Sequence, residues 1–160
     1  MTVSSDQLRE AMGNFATGVT VITTWEPNGN IHGMTANAVT SVSLDPPLIL
    51  IIVGHQRNTY TNIQNSNHFG VNVLGKGQEG IAEYFSRSEN TPEENSGAHW
   101  ESNNDGSPMM EGAVIFLDCS VRASHSYGDH TVYISNVNQV KINGGTPLIY
   151  HKGQLKNVQA

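Results

Sequence analysis

The sequence predicts a mainly β fold closed into a barrel, with a few short helices at its periphery. Three observations carry this. Runs rich in β-branched and apolar residues recur along the 160 residues and outnumber the helical patterns. The helical patterns are short. Strands and helices do not alternate as they do in parallel α/β folds. A chain of this length is expected to form one domain, 1–160, with its own core.

In chain order, Ser5 to Phe15 predicts a helix, capped by Ser4 or Ser5, with Leu8, Met12 and Phe15 on one face. Val19–Thr24 is β-branched and predicts a strand. The turn Pro27-Asn28-Gly29-Asn30 pairs it in a hairpin with Ile31–Ala36. Val39–Leu44 follows, then the stop Asp45-Pro46-Pro47, then Leu48–Val53. That last run, LILIIV, has no polar alternation and predicts a strand buried on both faces. Asn58–Asn65 reads as a helix with Tyr60 and Ile63 inward, Phe69–Leu74 as a strand, and Ile81–Phe85 as part of a short helix. Arg87–Pro108, rich in Ser, Asn, Glu and Gly, predicts one long, mobile surface loop. Ala113–Ala123 and Thr131–Ile142 predict two long strands, and Leu148–His151 a short last one.

Composition excludes several classes of function. The formal charge of −6 and only eight Lys and Arg argue against nucleic acid as a partner. No run is long and apolar enough to predict a bilayer span, and MTVSSDQLRE lacks the pattern of a signal peptide. The single Cys119 has no internal disulfide partner, which fits a reducing, cytoplasmic setting. The seven His residues show no metal-site spacing, so no metal is expected. No Gly-x-Gly-x-x-Gly opens a helix, so a dinucleotide must sit on the barrel itself.

The richest segment is Gly33 to Leu50, GMTANAVTSVSLDPPLIL. Its small residues let a flat ligand lie close to the backbone. Its Thr and Ser hydroxyls are donors for phosphate or ring oxygens. A barrel hairpin whose Thr and Ser simply favour strands explains the same letters. His55-Gln-Arg-Asn-Thr59 opens a helix, whose N–H groups suit a phosphate; an ordinary helix cap at Asn58 explains them as well. Gly128-Asp129-His130 puts a histidine at a strand entry beside a glycine turn, where it can hydrogen-bond a ligand or hold a proton near neutral pH. A lone strand histidine is also often structural.

These motifs together closely resemble the short-chain flavin reductases, NAD(P)H-dependent partners of two-component flavin monooxygenases. The resemblance runs from about Leu8 to Gly153. It rests on Thr35, Ala36, Asn37, Ser41, Val42, Ser43, Pro46 and Pro47, and on Gly128-Asp129-His130. It implies an FMN-binding split β-barrel and hydride transfer from NADH or NADPH to N5 of FMN or FAD. The flavin would be contacted by Thr35, Ala36, Asn37, Ser41, Val42 and Ser43, with Arg57, Asn58 and Thr59 toward its phosphate and Phe85 and Tyr150 at its border. His130 would lie near the nicotinamide as the catalytic residue. Leu155 stands where the family usually has an aromatic residue. The resemblance also implies a homodimer and a flavin-dependent monooxygenase as partner. Two alternatives remain open at this point: a bound-flavin oxidase of the pyridoxamine-phosphate-oxidase type, and a non-catalytic flavin- or haem-binding split-barrel protein.

Overall fold

The computed structural model of the chain describes residues 2–87, 96–101 and 106–158. The sequence elements become helices α1 (Ser5–Gly13), α2 (Asn58–Ser66) and α3 (Glu79–Ser86) and twelve strands among the described residues. The strands are β1 (Thr17–Gly18), β2 (Thr20–Trp25), β3 (Ile31–Ala36), β4 (Val39–Leu44), β5 (Pro47–Gly54), β6 (His68–Val73), β7 (Trp100–Glu101), β8 (Met109–Met110), β9 (Ile115–Tyr127), β10 (His130–Ile142), β11 (Leu148–His151) and β12 (Gln154–Asn157). Seven form one sheet in the order β3-β2-β6-β9-β10-β5-β4, antiparallel throughout.

That order requires a barrel. β3 and β4 are the opposite edges of the sheet, yet only Asn37 and Ala38 separate them in sequence. Three peptide steps span at most about 11 Å, so the sheet must curl until its edges nearly meet. Ile52 N–H donates to the Ala38 carbonyl at 3.2 Å and tethers the link to β5. No ladder joins β3 to β4, so the barrel is split. α2 helps to close it. Ile63 is buried among Ile22, Ile51, Val53, Phe69 and Val71 inside the barrel. Asn62 donates to Thr24 Oγ1 on β2, and Gln64 to the Tyr133 hydroxyl on β10. A second core lies outside β2, where Val19 and Val21 meet Ala82 and Phe85 of α3 and Leu148 of β11.

The hairpin of β2 and β3 forms as expected, with Gly29 at φ 85° in its turn, a conformation glycine adopts without a Cβ penalty. Leu8, Met12 and Phe15 are 57%, 57% and 66% exposed, and α1 buries none of its residues. Its capping box, Ser4 with Gln7, holds the helix locally. Two expectations change. The LILIIV run is buried on one face only. Ile49, Ile51 and Val53 point into the core, while Leu48, Leu50 and Ile52 on the other face are only partly buried, as suits an antiparallel strand.

The second change concerns the expected loop Arg87–Pro108. Its parts at 88–95 and 102–105 lie outside the described residues, and the expected mobility goes with them. The rest is anchored. β7 pairs with β8, and Lys141 of β10 forms an ion pair with Glu101. Pro108 O accepts from Thr23 Oγ1 at 2.7 Å, Gly106 O accepts from the Trp25 indole at 2.9 Å, and Ser107 N–H donates to Asp118 at 2.9 Å. Burial by itself would raise the Asp118 carboxyl. Donors from Ser107, His68 and Asn138 outweigh that and hold it below the usual carboxylate range.

Candidate functional site

Position along β5 organises the site. The end of β5 at Gly54 pairs with His130, the first residue of β10. The link Asn37–Ala38 lies beside the same end, through the Ile52 to Ala38 hydrogen bond. The turn after Gly54 leads into α2, whose N-cap is Arg57, so Asn58 is the first helical residue rather than the cap. Ala36–Asn37, Arg57–Asn58 and His130 are therefore gathered at one mouth of the barrel.

Small residues and local hydrogen bonds shape this mouth. Ala36 ends β3 opposite Thr20, whose hydroxyl donates to the Ala36 carbonyl at 2.7 Å. Thr35 Oγ1 donates to the Ala82 carbonyl of α3 at 2.6 Å, leaving its oxygen lone pairs as acceptors. Asn37 is exposed. Ser41, Val42 and Ser43 run away along β4. Ser41 pairs with Ile49 and Ser43 with Leu48, so Val42 is the extra residue of a β-bulge. Leu48 is six residues from Gly54, about 20 Å of strand. The hydroxyls of Ser41 and Ser43 thus lie on one strip with the mouth, but not at it.

His130 carries its own orienting group. Its Nδ1 lies 2.7 Å from Asp129 Oδ1. The hydrogen bond from His130 is the main cause that holds the Asp129 carboxyl below its usual range, so it is ionised near neutral pH and only accepts. Nδ1 therefore bears the proton, and Nε2 is left for a ligand. Nε2 sits over Gly54, where a methyl group would meet it at 3.4 Å. Glycine keeps that edge of the ring uncovered.

Three expected site residues lie elsewhere in the packing. Thr59 is fully buried and its hydroxyl is 2.8 Å from His32 Nε2. It links α2 to β3 at the position where the resemblance implies a contact to the flavin phosphate. Phe85 is 7% exposed in the second core, edge-on to Trp100 and pressed against Gly33, where a Cβ would approach its ring at 2.6 Å. Its burial makes it a support beneath β3 rather than a border of an open site. Tyr150 belongs to the small sheet, opposite Thr17 and Leu155. It lines a groove of about 590 Å³ between α1 and the β11–β12 hairpin, together with Arg9, Asn14 and Lys152. His55 and Gly54, at the heart of the mouth, carry no sequence signal beyond following a strand. Among the described residues no group of His, Cys, Asp and Glu is arranged to hold a metal ion, and no helix is long and apolar enough to cross a membrane.

The strands form a split barrel with small residues at one mouth, hydroxyls along an adjoining edge strand and an oriented histidine. The family described as "Flavin reductase like domain" matches residues 12–159, and the chain belongs to it. An NADH-dependent flavin reductase of a Rhodococcus species is 38% identical over 154 residues, 95% of this chain and 85% of that protein. The reductase subunit HsaB of a flavin-dependent monooxygenase from Mycobacterium tuberculosis is 30% identical over 154 residues, 94% of this chain and 81% of that protein. Among solved structures, flavin reductase PheA2 in its native state superposes with a TM-score of 0.89 at 37% identity, over 99% of this chain and 100% of that one. The mainly β split barrel implied by the motifs is thus the fold of a flavin reductase.

Proposed function

We propose that the chain is an NADH- or NADPH-dependent reductase of free FMN or FAD that supplies reduced flavin to a monooxygenase. The observation that carries this reading is the mouth itself, where the small residues Ala36 and Asn37 and the oriented His130 converge on one end of β5. The donor set suits a flavin. Backbone N–H groups at an exposed small-residue link can reach ring carbonyls and stabilise charge that develops on reduction. Ser41 and Ser43 offer hydroxyls along the strip. α2 starts without a side-chain cap, so its first turn suits a phosphate, with the Arg57 guanidinium nearby.

Bound flavin and nicotinamide nucleotide supply the chemistry, transfer of a hydride between their rings. The protein's share is to hold the two rings in contact, which is mainly a matter of proximity. Ala36 and Asn37 permit the close approach. Asp129 fixes the His130 tautomer, and Nε2 offers a hydrogen bond to the nicotinamide carboxamide.

A homodimer is part of the proposal. The partly buried outer face of β5 and exposed Val42 and Leu44 beside it are apolar surface that a second copy would cover. The cytoplasm is the expected location. The test is NADH oxidation with and without added flavin. Turnover should depend on added FMN or FAD, with affinity of about micromolar, roughly −8 kcal/mol, and flavin should be lost on desalting. Stoichiometric flavin kept through long dialysis, with no stimulation by added flavin, would favour a bound-flavin oxidase or a carrier instead.

A further inference from the structure

We propose that His55 is a positioning residue that grips both chain neighbours of His130 and so sets where the His130 ring stands. This rests on the reading of His130 as the nicotinamide-side residue. The backbone N–H of His55 donates to the carbonyl of Asp129 at 2.9 Å. Its ring Nε2 lies 2.9 Å from the hydroxyl of Thr131. One residue thus holds the position before His130 by the main chain and the position after it by a side chain. Thr131 is buried and its hydroxyl is also 3.0 Å from Ser126 Oγ on the facing strand β9, so the grip continues into the hairpin. The His55 ring is itself braced by Tyr60 of α2, with centroids 4.9 Å apart.

The need for such a grip follows from exposure. The His130 side chain is 50% exposed and that of Asp129 90%, at the end of the β9–β10 hairpin, where residues 124–130 are all exposed. An exposed ion pair orders side chains weakly. The β5–β10 ladder reaches His130 at Gly54, and His55 extends the hold past it, to Asp129 by its main chain and to Thr131 by its ring. His55 couples that end to β5 and α2, the elements that shape the flavin side of the mouth. The two halves of the site therefore share one register.

The test compares His55→Phe, His55→Gln, Thr131→Val and His130→Ala on the full-length protein with NADH and FMN. Phenylalanine keeps the ring packing on Tyr60 and removes the hydrogen bond, glutamine can restore it, and valine removes the partner hydroxyl at equal volume. His55→Phe and Thr131→Val should each lower kcat/KM for NADH about 3- to 10-fold, the effect of one lost hydrogen bond. Most of that should appear in KM, with the FMN dissociation constant within twofold of the parent. The double variant should be no worse than Thr131→Val alone, because that change already removes the His55 contact, and His55→Gln should recover most of the loss of His55→Phe. Parent-like kinetics in both His55→Phe and Thr131→Val, with His130→Ala impaired, would overturn the positioning role alone. Loss of FMN affinity in step with NADH would also overturn it, since the effect would then run through α2. So would a glutamine variant as impaired as phenylalanine. Parent-like kinetics in His130→Ala would instead remove the underlying reading of His130. Should His55→Phe unfold, Thr131→Val and the glutamine variant decide the matter.

Discussion

His130 and His32 show how differently two histidines of one chain are used. His130, half-exposed with Asp129 at its Nδ1, is open to a ligand. His130→Ala is expected to lower kcat/KM for NADH about 10-fold, within the range of lost ligand hydrogen bonds, while FMN titration stays near the parent curve; steady-state kinetics paired with flavin fluorescence checks both. His32 is sunk between β3 and α2. Burial pushes its pKa below the ordinary 6.5, with Glu26 opposing in part. The folded chain thus refuses a proton that the unfolded chain accepts. That contribution to stability is fully present above about pH 6.5 and is lost as pH falls below it toward the depressed folded value. Thermal melts from pH 7.5 to 5 should fall, and His32→Gln, which can keep the contact to Thr59, should flatten the fall. An unchanged slope in that variant would assign the acid sensitivity to groups other than His32. Residue types were legible in the sequence here, but burial was not. Thr59 and Phe85 fit their motif positions by letter, and only the packing of α2 on β3 and of α3 on Gly33 shows that both are enclosed.

Among elements, the strands were the more legible. The β-branched run Val19–Thr24 and the turn at Pro27–Asn30 specify the β2–β3 hairpin locally, and the structure shifts β2 by one residue, to Thr20–Trp25. β1, β7, β8 and β12 are two to four residues long and have no period of their own; each exists because a partner lies beside it. α1 is the opposite case. Its apolar stripe is genuine, but none of its residues is buried among the described residues. β6 pairs with β2, and Gly70 stands opposite Thr23. A Cβ at Gly70 would meet Thr23 Oγ1 at 2.5 Å, Phe116 at 2.9 Å and the Pro108 carbonyl at 3.1 Å. Gly70→Ala should therefore cost about 1–3 kcal/mol by overpacking and should weaken the anchorage of 106–108, since Thr23 holds Pro108. Urea unfolding at constant m-value reads the first effect. A variant as stable as the parent would mean that β6 shifts to make room.

For the whole molecule, the barrel was readable because strand count and the absence of alternation leave few architectures. Its closure was not, because it depends on which strands become edges. The partly buried outer face of β5 predicts that sedimentation at micromolar concentration gives twice the mass of one chain; a monomer at all concentrations would leave that face to another partner. The two sheet edges meet at Asn37–Ala38 and have no ladder between them. In effect the barrel is a clasp with a hinge at one end and no catch. A ligand lying across Ala36–Asn37 and along Ser41–Ser43 would serve as the catch, so the opening of the barrel and the escape of the ligand become a single movement. FMN should then slow amide exchange along β3 and β4 together and leave β6 and β9, paired on both sides, nearly unchanged; protection on one edge alone would show that the clasp does not close on its ligand.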